Sequence, residues 1–343
     1  MKPAALLAAL CLASFAAGAQ PIVKLPDQSP HARVDQTVGL TELSVTYARP
    51  AVKERKVWGG LVPWGEVWRA GANENTVLSS STGFTVEGHA LPAGRYGLHL
   101  LPAESGPWQL IVSNVSTGWG SYGYDAKDDT FRAPVTPEPA PVEERLAYAF
   151  DAVGEASATL ALRWEKLRIP IRITVDTTAV TVASLKAQLR GIPQFFPRGW
   201  TDAASWLLAH DTHLDLAMEW ADKANGIQAT FGGAMLKSRL LAKKGDAAGA
   251  QTWKDRALVV ATEVEVNLHG YQLLGQGQVK EAVAVFRRNA KDHPESWNVH
   301  DSLGEALEKA GEKAAARESY ARALKLVKDE AQKKRLERVL SAP

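Results

Sequence analysis

The stretch Arg49–Thr76 reads RPAVKERKVWGGLVPWGEVWRAGANENT and lies between two segments with the alternation typical of β-strands. It combines three tryptophans with several cationic side chains and ends in a run of amides and a carboxylate. Flat aromatic faces beside fixed hydrogen-bond donors suit a sugar or an anionic group. The same side chains also pack and hydrogen-bond well enough to hold a long connection against a sheet. The stretch therefore predicts either a ligand site or a scaffold.

The two interpretations involve the same side chains. As a scaffold, the stretch contains a plausible internal ion pair between Arg69 and Glu74. As a ligand site, its polar and aromatic groups surround a bound sugar or anion. The candidate ligand-binding residues are Arg49, Lys53, Arg55, Trp58, Trp64, Trp68, Arg69, Asn73 and Glu74.

Apolar and polar residues alternate on both sides of this stretch, from about residue 31 to residue 175. The alternation is clear at residues 43–47 (LSVTY) and 96–100 (YGLHL), and it indicates strands with one buried face. Glycine and proline turns separate these runs. About eight or nine short strands without a convincing helix predict an all-β antiparallel sandwich, with a flattened barrel as the alternative.

Residues 133–141, APVTPEPAP, carry proline at every second or third position and cannot supply a regular ladder of amide donors. Strand-like alternation resumes immediately after them. We therefore expect an extended crossing or a sheet edge within the β domain, which is predicted to occupy residues 29–175.

The opening stretch resembles the signature of a bacterial family known as domain of unknown function 2911. The motifs that carry the resemblance are Arg49-Pro50, Lys53-x-Arg55, Trp58-Gly59, Val62-Pro63-Trp64-Gly65 and Trp68 to Glu74. It extends over roughly residues 29–175 and includes Trp119-Gly120-Ser121-Tyr122 and Leu162-Arg163-Trp164-Glu165. The family carries no assigned activity, so the resemblance implies a domain and no reaction.

After Thr181 the pattern becomes helical, and small and aromatic residues recur at a spacing of 34 residues. The repeat-packing residues are Gly270, Gly277, Ala282 and Phe286 in the first unit and Gly304, Gly311, Ala316 and Tyr320 in the second. The pattern resembles the tetratricopeptide repeat, although His300 and Lys328 replace the usual tryptophan and proline. Since one repeat cannot bury its own apolar face, three or four stacked units are predicted over residues 201–340, after a linker at 176–200.

The N-terminus has a cation at Lys2, an apolar stretch from Ala4 to Ala17 and small residues before Gln20. This pattern predicts a signal peptide at residues 1–19 and an exported protein of the periplasm or the medium, without a membrane span after cleavage.

Cys11 is the only cysteine, so no disulfide is expected in the mature protein. With 40 basic and 38 acidic side chains, the chain offers no broad electrostatic attraction for nucleic acid.

No pattern of residues predicts a catalytic site. The chain lacks the Gly-x-Ser-x-Gly elbow and the short histidine spacings of metal sites, so we expect neither an enzyme nor a bound metal or cofactor. A convergence of His31, His89 and His99 on a metal is the less favoured alternative. A calcium loop at residues 125–129 is also disfavoured, because its acids do not alternate as such a loop requires.

Three functional hypotheses remain open. Helical repeats imply a groove for a protein partner, which makes a non-catalytic interaction protein the favoured interpretation. The alternative is a module that binds a carbohydrate or another cell-envelope ligand through residues 49–76. An enzymatic hypothesis rests only on Arg69, Asn73 and Glu74 near His89 or His99.

Overall fold

The computed structural model describes residues 25–341, so the predicted signal peptide and Cys11 lie outside the described residues. The described residues divide into two compact units, of which the first ends at Thr181 and the second begins at Val182. Between residues 25 and 341, none of the helices combines the length and the apolar character needed to cross a membrane.

The first unit is built from antiparallel strands. They are β1 (His31–Val38), β2 (Thr41–Ala48), β3 (Thr76–Ser80), β4 (Phe84–Val86), β5 (His89–Leu91), β6 (Gly94–Leu101), β7 (Trp108–Ser113), β8 (Asp129–Val135), β9 (Glu138–Asp151) and β10 (Ser157–Thr174). One sheet has six strands in the order β1-β2-β3-β6-β7-β8, and the other has four in the order β5-β4-β10-β9. This confirms the predicted all-β antiparallel fold of two sheets.

The two sheets of the β unit share one apolar core. Val45 and Leu98 of the larger sheet and Leu160 and Ile171 of the smaller sheet are at most 1% exposed and belong to one cluster. Alternate residues of each strand enter this core, as the period of two in the sequence predicts. The sheets remain separate ladders and do not join into a closed sandwich or a flattened barrel.

The proline-rich residues 133–141 form the ends of two edge strands. Strand β8 lies at one edge of the six-stranded sheet, and β9 lies at one edge of the four-stranded sheet. An edge strand tolerates proline because its outer side has no ladder partner that needs an N–H donor. The chain passes from one sheet to the other here, as expected from the sequence.

The second unit is an array of helices. They are α1 (Thr177–Gln188), which begins in the first unit, α2 (Pro197–Ala209), α3 (Leu214–Ile227), α4 (Phe231–Lys243), α5 (Ala247–Val260), α6 (Glu263–Gly275), α7 (Val279–Asp292), α8 (Trp297–Lys309), α9 (Lys313–Leu326) and α10 (Glu330–Ser341). Residues 176–200, predicted as a linker, contain α1, a short 3₁₀ turn at Ile192–Phe195 and the first residues of α2.

Consecutive helices pack as pairs, from α2 with α3 to α8 with α9. Helix α6 begins at Glu263 and α8 begins at Trp297, 34 residues later. The turn inside each of these two pairs has a glycine with positive φ, +75° at Gly277 and +80° at Gly311, which favours a residue without a side chain. The period and the pairing confirm the predicted tetratricopeptide-like repeat array.

The repeat-packing residues lie at the contacts between paired helices. A Cβ atom at Gly270 would lie 2.4 Å from Cζ of Phe286, and one at Gly304 would lie 2.6 Å from Cδ1 of Tyr320. Each aromatic ring therefore occupies the space that a side chain on the facing glycine would need. The equivalent alanines, Ala282 and Ala316, are also buried, at 0% and 2% exposure.

Candidate functional site

The stretch Arg49–Thr76 is held to both sheets of the β unit. Near its start, the Val52 N–H donates to the Glu144 carbonyl of β9 at 2.8 Å. Further on, Trp68 exchanges two backbone hydrogen bonds of 2.8 Å with Leu100 of β6. Trp68 thereby continues the β6 ladder beyond Thr76, where β3 begins. The stretch runs from the edge of one sheet to the middle of the other.

Trp58 is the centre of an aromatic cluster beneath this stretch. Its ring centroid lies 4.9 Å from Trp108 of β7, 5.7 Å from Trp164 of β10 and 5.7 Å from Trp68, all edge-on. Trp64 packs against Trp108 at 6.1 Å. Because Trp58 is only 9% exposed, it belongs to the core and has little surface to offer a ligand.

Two arginines of the stretch hydrogen-bond to backbone carbonyls. Arg49 Nε donates to the Leu146 carbonyl at 2.9 Å. Arg55 donates to Val52 at 3.0 Å through Nε and to Ala51 at 2.6 Å through Nη2. These bonds fix the bend of the chain, so both side chains support the fold directly.

Five of the nine candidate ligand-binding residues line one cavity of about 560 Å³. They are Lys53, Arg55, Trp68, Arg69 and Asn73. Gln28, Ser29 and Trp164 add to the wall. They come from distant segments, and no spacing in the sequence predicts that they meet the quoted stretch. The volume falls within the range of small-molecule pockets, about 300–1,000 Å³.

Two residues of the cavity wall carry a buried donor atom without an acceptor among the described residues. Arg69 Nε is buried, and no described residue accepts a hydrogen bond from the Arg69 guanidinium or forms an ion pair with it. Trp164 Nε1 is also buried without an acceptor among residues 25–341. The residues that line this cavity include three cations and no carboxylate.

Two carboxylates lie beside the cavity lining and have other partners. Glu144 accepts the backbone N–H of Lys53 at 3.0 Å through Oε1. Asp27 accepts from the Asn73 amide at 3.0 Å, and the same amide also reaches the Ser29 carbonyl at 3.4 Å. The ammonium group of Lys53 has no ion-pair partner within the described chain.

The ion pair expected between Arg69 and Glu74 does not form. Glu74 instead lies 3.3 Å from His31, with both side chains about half exposed. Ala70 and Asn73 between them have positive φ, 51° and 55°, so the backbone turns twice before it reaches Glu74. The expectation was wrong because residue spacing alone does not reveal these turns.

The three histidines considered as metal ligands have different neighbours. His31 contacts Glu74, His89 stacks on Phe131 at 4.3 Å between centroids, and Nδ1 of His99 lies 3.0 Å from Ser121 Oγ. Among the described residues, no three or more His, Cys, Asp or Glu side chains are arranged to hold a metal ion.

His99 is buried in the β unit, and its contact with Ser121 was not foreseen from the sequence. Burial lowers the pKa of its imidazole to about 4, because the charged form loses its hydration. The negative charge of Asp129 raises the pKa, but by less than burial lowers it. The Tyr124 hydroxyl lies 2.8 Å from both carboxylate oxygens of Asp129 and donates a hydrogen bond to this group. Arg132 forms an ion pair of 2.7 Å with the same carboxylate. Tyr124, Asp129 and Arg132 thus bind one another beside the turn at residues 125–129.

A second candidate surface lies on helix α6 of the array. Val264, Leu268 and Tyr271 are 62%, 58% and 36% exposed, and their spacing places them on one side of the helix. The Tyr271 hydroxyl donates to Glu305 of α8 at 2.8 Å and lies 3.1 Å from the Ser302 hydroxyl. The exposed apolar stripe of α6 therefore reaches the first helix of the next pair.

The helical array is similar to several solved structures at low sequence identity. It aligns with the protein YrrB, described as a TPR protein with an unusual peptide-binding site, at 14% identity over 46% of this chain and 81% of that chain, with a TM-score of 0.28. The Pseudomonas aeruginosa protein pilF aligns at 17% identity over 42% of this chain and 67% of that chain, with a TM-score of 0.27. The C-terminal part of a TPR repeat-containing protein from Cytophaga hutchinsonii aligns at 17% identity over 46% of this chain and 64% of that chain. Its TM-score is 0.30.

The comparison with curated proteins gave no match. The β unit, in contrast, matches a known family, and the match begins before β1 and ends within β10. The quoted tryptophan and arginine stretch lies inside it. Residues 29–173 match the family described as protein of unknown function (DUF2911).

Proposed function

We propose that this chain is an exported, non-catalytic protein whose helical array binds an apolar segment of a partner protein in the periplasm. The observation that carries the proposal is the exposed apolar stripe of α6, formed by Val264, Leu268 and Tyr271. Val259 and Val260, at the end of α5, are also exposed, at 73% and 42%. Contiguous exposed apolar groups are the usual mark of a surface that another protein covers.

The position of the stripe within the array supports this proposal. Tyr271 of α6 binds Ser302 and Glu305 of α8, so the first helices of two consecutive pairs lie side by side at this surface. Stacked helix pairs create an extended concave surface, and such surfaces hold peptides or other proteins. An apolar segment laid across the stripe would bury side chains that water now contacts.

A charge placed in the stripe tests the proposal. We expect Leu268→Glu to reduce recovery of the partner from envelope extracts by about tenfold or more, because a buried carboxylate without a partner is costly. Ala314→Glu adds the same charge to an exposed position on α9 and should leave recovery unchanged. Equal recovery with the wild type and both variants would show that the stripe does not bind the partner.

The proposed export rests on the N-terminal sequence pattern. Mass spectrometry of the protein purified from its own cells should find a mature N-terminus near Gln20, in the periplasmic fraction or the medium. An intact Met1 in the cytosolic fraction would contradict export and the periplasmic setting of the proposed partner.

A second candidate function is the binding of a cell-envelope glycan in the cavity of the β unit. It is favoured by the convergence of Trp68, Arg69, Lys53 and Asn73 on that cavity. Titration with envelope glycans should change the tryptophan fluorescence, since Trp68 and Trp164 both line the wall. Flat titrations across a broad glycan panel would remove this candidate.

A further inference from the structure

We infer that the cavity of the β unit holds an organic anion, whose carboxylate or phosphate group binds Arg69 and Lys53. The inference rests on the second candidate function, that this cavity takes a ligand, and it names the chemical class of that ligand. Its basis is a wall with three cations and no carboxylate, in which the Arg69 guanidinium has no partner among the described residues.

The guanidinium of Arg69 is the first part of the argument. Its Nε is buried and no described residue satisfies it, although buried N–H groups nearly always have an acceptor. Arginine cannot give up its proton to relieve this imbalance. The planar guanidinium can donate two parallel hydrogen bonds to a carboxylate or a phosphate. An anion in the cavity would therefore supply the acceptors that Arg69 does not find among the described residues.

The surroundings of Arg69 are the second part of the argument. Lys53 and Arg55 line the same wall, and no carboxylate lines it. A Cβ atom at Gly120 would lie 3.1 Å from Arg69 Cδ and 3.3 Å from its Nη1, so the loop at Gly120 packs closely on this side chain. The cation is thus held in place without being neutralised, which is the arrangement that an incoming anion needs.

The rest of the wall indicates what the anionic group is attached to. Trp68 and Trp164 line the cavity, and their rings stack on each other at 5.8 Å between centroids. Trp164 Nε1 adds another buried donor without an acceptor among the described residues. A cavity of about 560 Å³ leaves room beyond a single carboxylate or phosphate group, so the ligand has a body that packs against aromatic side chains.

The test uses the full chain and compares anionic probes with a neutral probe of the same size. Phenyl phosphate and benzoate offer a tetrahedral and a planar anion on one ring, and benzamide is the neutral match. We expect saturable changes in tryptophan fluorescence with at least one anion, weakened by added salt, and none with benzamide. The stronger of the two anions identifies the ligand as a phosphate or a carboxylate.

Substitutions locate the binding. Arg69→Gln should weaken binding by about tenfold or more, and Lys53→Gln by about threefold, because each removes a charged donor. Arg33→Gln removes an arginine that pairs with Asp35 outside this cavity and should change nothing. Lys53 is exposed and its ammonium is unpaired, so Lys53→Gln gives a folded test even if Arg69→Gln fails to fold.

Three results would overturn the inference. Equal affinity of wild type and the Arg69 and Lys53 variants would place the anion elsewhere. Saturable binding of a neutral envelope glycan without binding of either anion would contradict the anion and leave the second candidate function standing. Flat titrations with every anion and glycan would contradict both.

Discussion

Arg49 and Arg69 belong to the same stretch and are both half-buried, but the protein uses them differently. Arg49 donates to the Leu146 carbonyl, whereas no described group accepts from Arg69. A hydrogen bond from a charged donor stabilises a fold, and an unsatisfied buried donor opposes it. The difference marks Arg49 as a supporting side chain and Arg69 as a side chain of the cavity wall without a partner among the described residues.

Urea unfolding of the two variants measures this difference. We expect Arg49→Gln to lower the free energy of unfolding by about 1–2 kcal/mol, because it removes the bond to Leu146. Arg69→Gln should change it by less than about 0.5 kcal/mol, or raise it slightly. A loss of more than about 2 kcal/mol in Arg69→Gln would show that this side chain completes the scaffold.

Gly270 shows how little space separates paired helices. Gly270→Ala places a methyl group against the buried ring of Phe286, and we expect a loss of about 2 kcal/mol although alanine is the better helix former. Gly275 lies in the same helix with nothing within 4 Å of an added Cβ, so Gly275→Ala should stabilise by up to about 1 kcal/mol. Thermal unfolding that shows equal gains for both would contradict this packing.

His99 gives the β unit a dependence on acid pH. Its imidazole pKa falls from 6.5 to about 4 on burial, so between these values the unfolded chain binds a proton that the folded chain does not. With respect to this group, the free energy of unfolding has its full value above pH 6.5 and decreases as the pH falls toward 4. At about pH 4.5 the loss amounts to roughly 2 kcal/mol.

His99→Gln should remove this part of the pH dependence, because the amide does not titrate. The measurement is urea unfolding of the wild type and the variant at pH 7 and pH 4.5. His89→Gln is the control, since His89 is exposed and stacks on Phe131 at the surface. If wild type and His99→Gln lose equal stability between the two pH values, another group is responsible.

At the scale of elements, helix α10 is attached to α8 by an ion pair between Arg335 and Asp301. The Asp301 side chain is 10% exposed and that of Arg335 is 32% exposed. Burial raises the pKa of Asp301, and Arg335 opposes this rise. The pair therefore compensates part of the cost of placing a carboxylate in the core of the array.

Arg335→Ala should lower the free energy of unfolding by about 2 kcal/mol at pH 7, because it leaves Asp301 charged and unpaired. Since a raised carboxyl pKa weakens the fold as the pH rises through it, this deficit should be smaller at pH 4.5 than at pH 7. Adding Asp301→Asn to Arg335→Ala should restore part of the loss. An equal deficit in the single and double variants would show that the charge of Asp301 is not the cause.

The elements were predictable from the sequence where the signal is local. Alternation predicted the strands, and the 34-residue recurrence of Gly270 at Gly304 predicted two helix pairs whose bounds repeat at that spacing.

The cavity was not predictable as a whole. Its wall brings Trp164 and Gln28 to the quoted stretch, and no periodicity relates segments so far apart in the chain. The pair expected between Arg69 and Glu74 failed for a related reason, since turns at Ala70 and Asn73 decide which side chains meet.

At the scale of the whole molecule, the chain joins a DUF2911 segment to a helical repeat array, and each unit has its own core. Each also has its own candidate surface, a cavity with an unsatisfied guanidinium in the first unit and an apolar stripe in the second. We expect Leu268→Glu to leave the unfolding free energy of the array within about 0.5 kcal/mol of wild type, because Leu268 is exposed. A larger loss in urea unfolding would make the stripe part of the fold.

Site-specific photo-crosslinking in the protein's own cells tests the central claim most directly. A photoreactive residue at position 268 lies in the stripe, and one at position 314 lies on an exposed part of α9. The account predicts a discrete adduct with one partner protein from position 268, lost when Val264→Glu is added, and no such adduct from position 314. Folded protein that gives no adduct at 268 beyond that at 314 would contradict a protein-binding role for this surface.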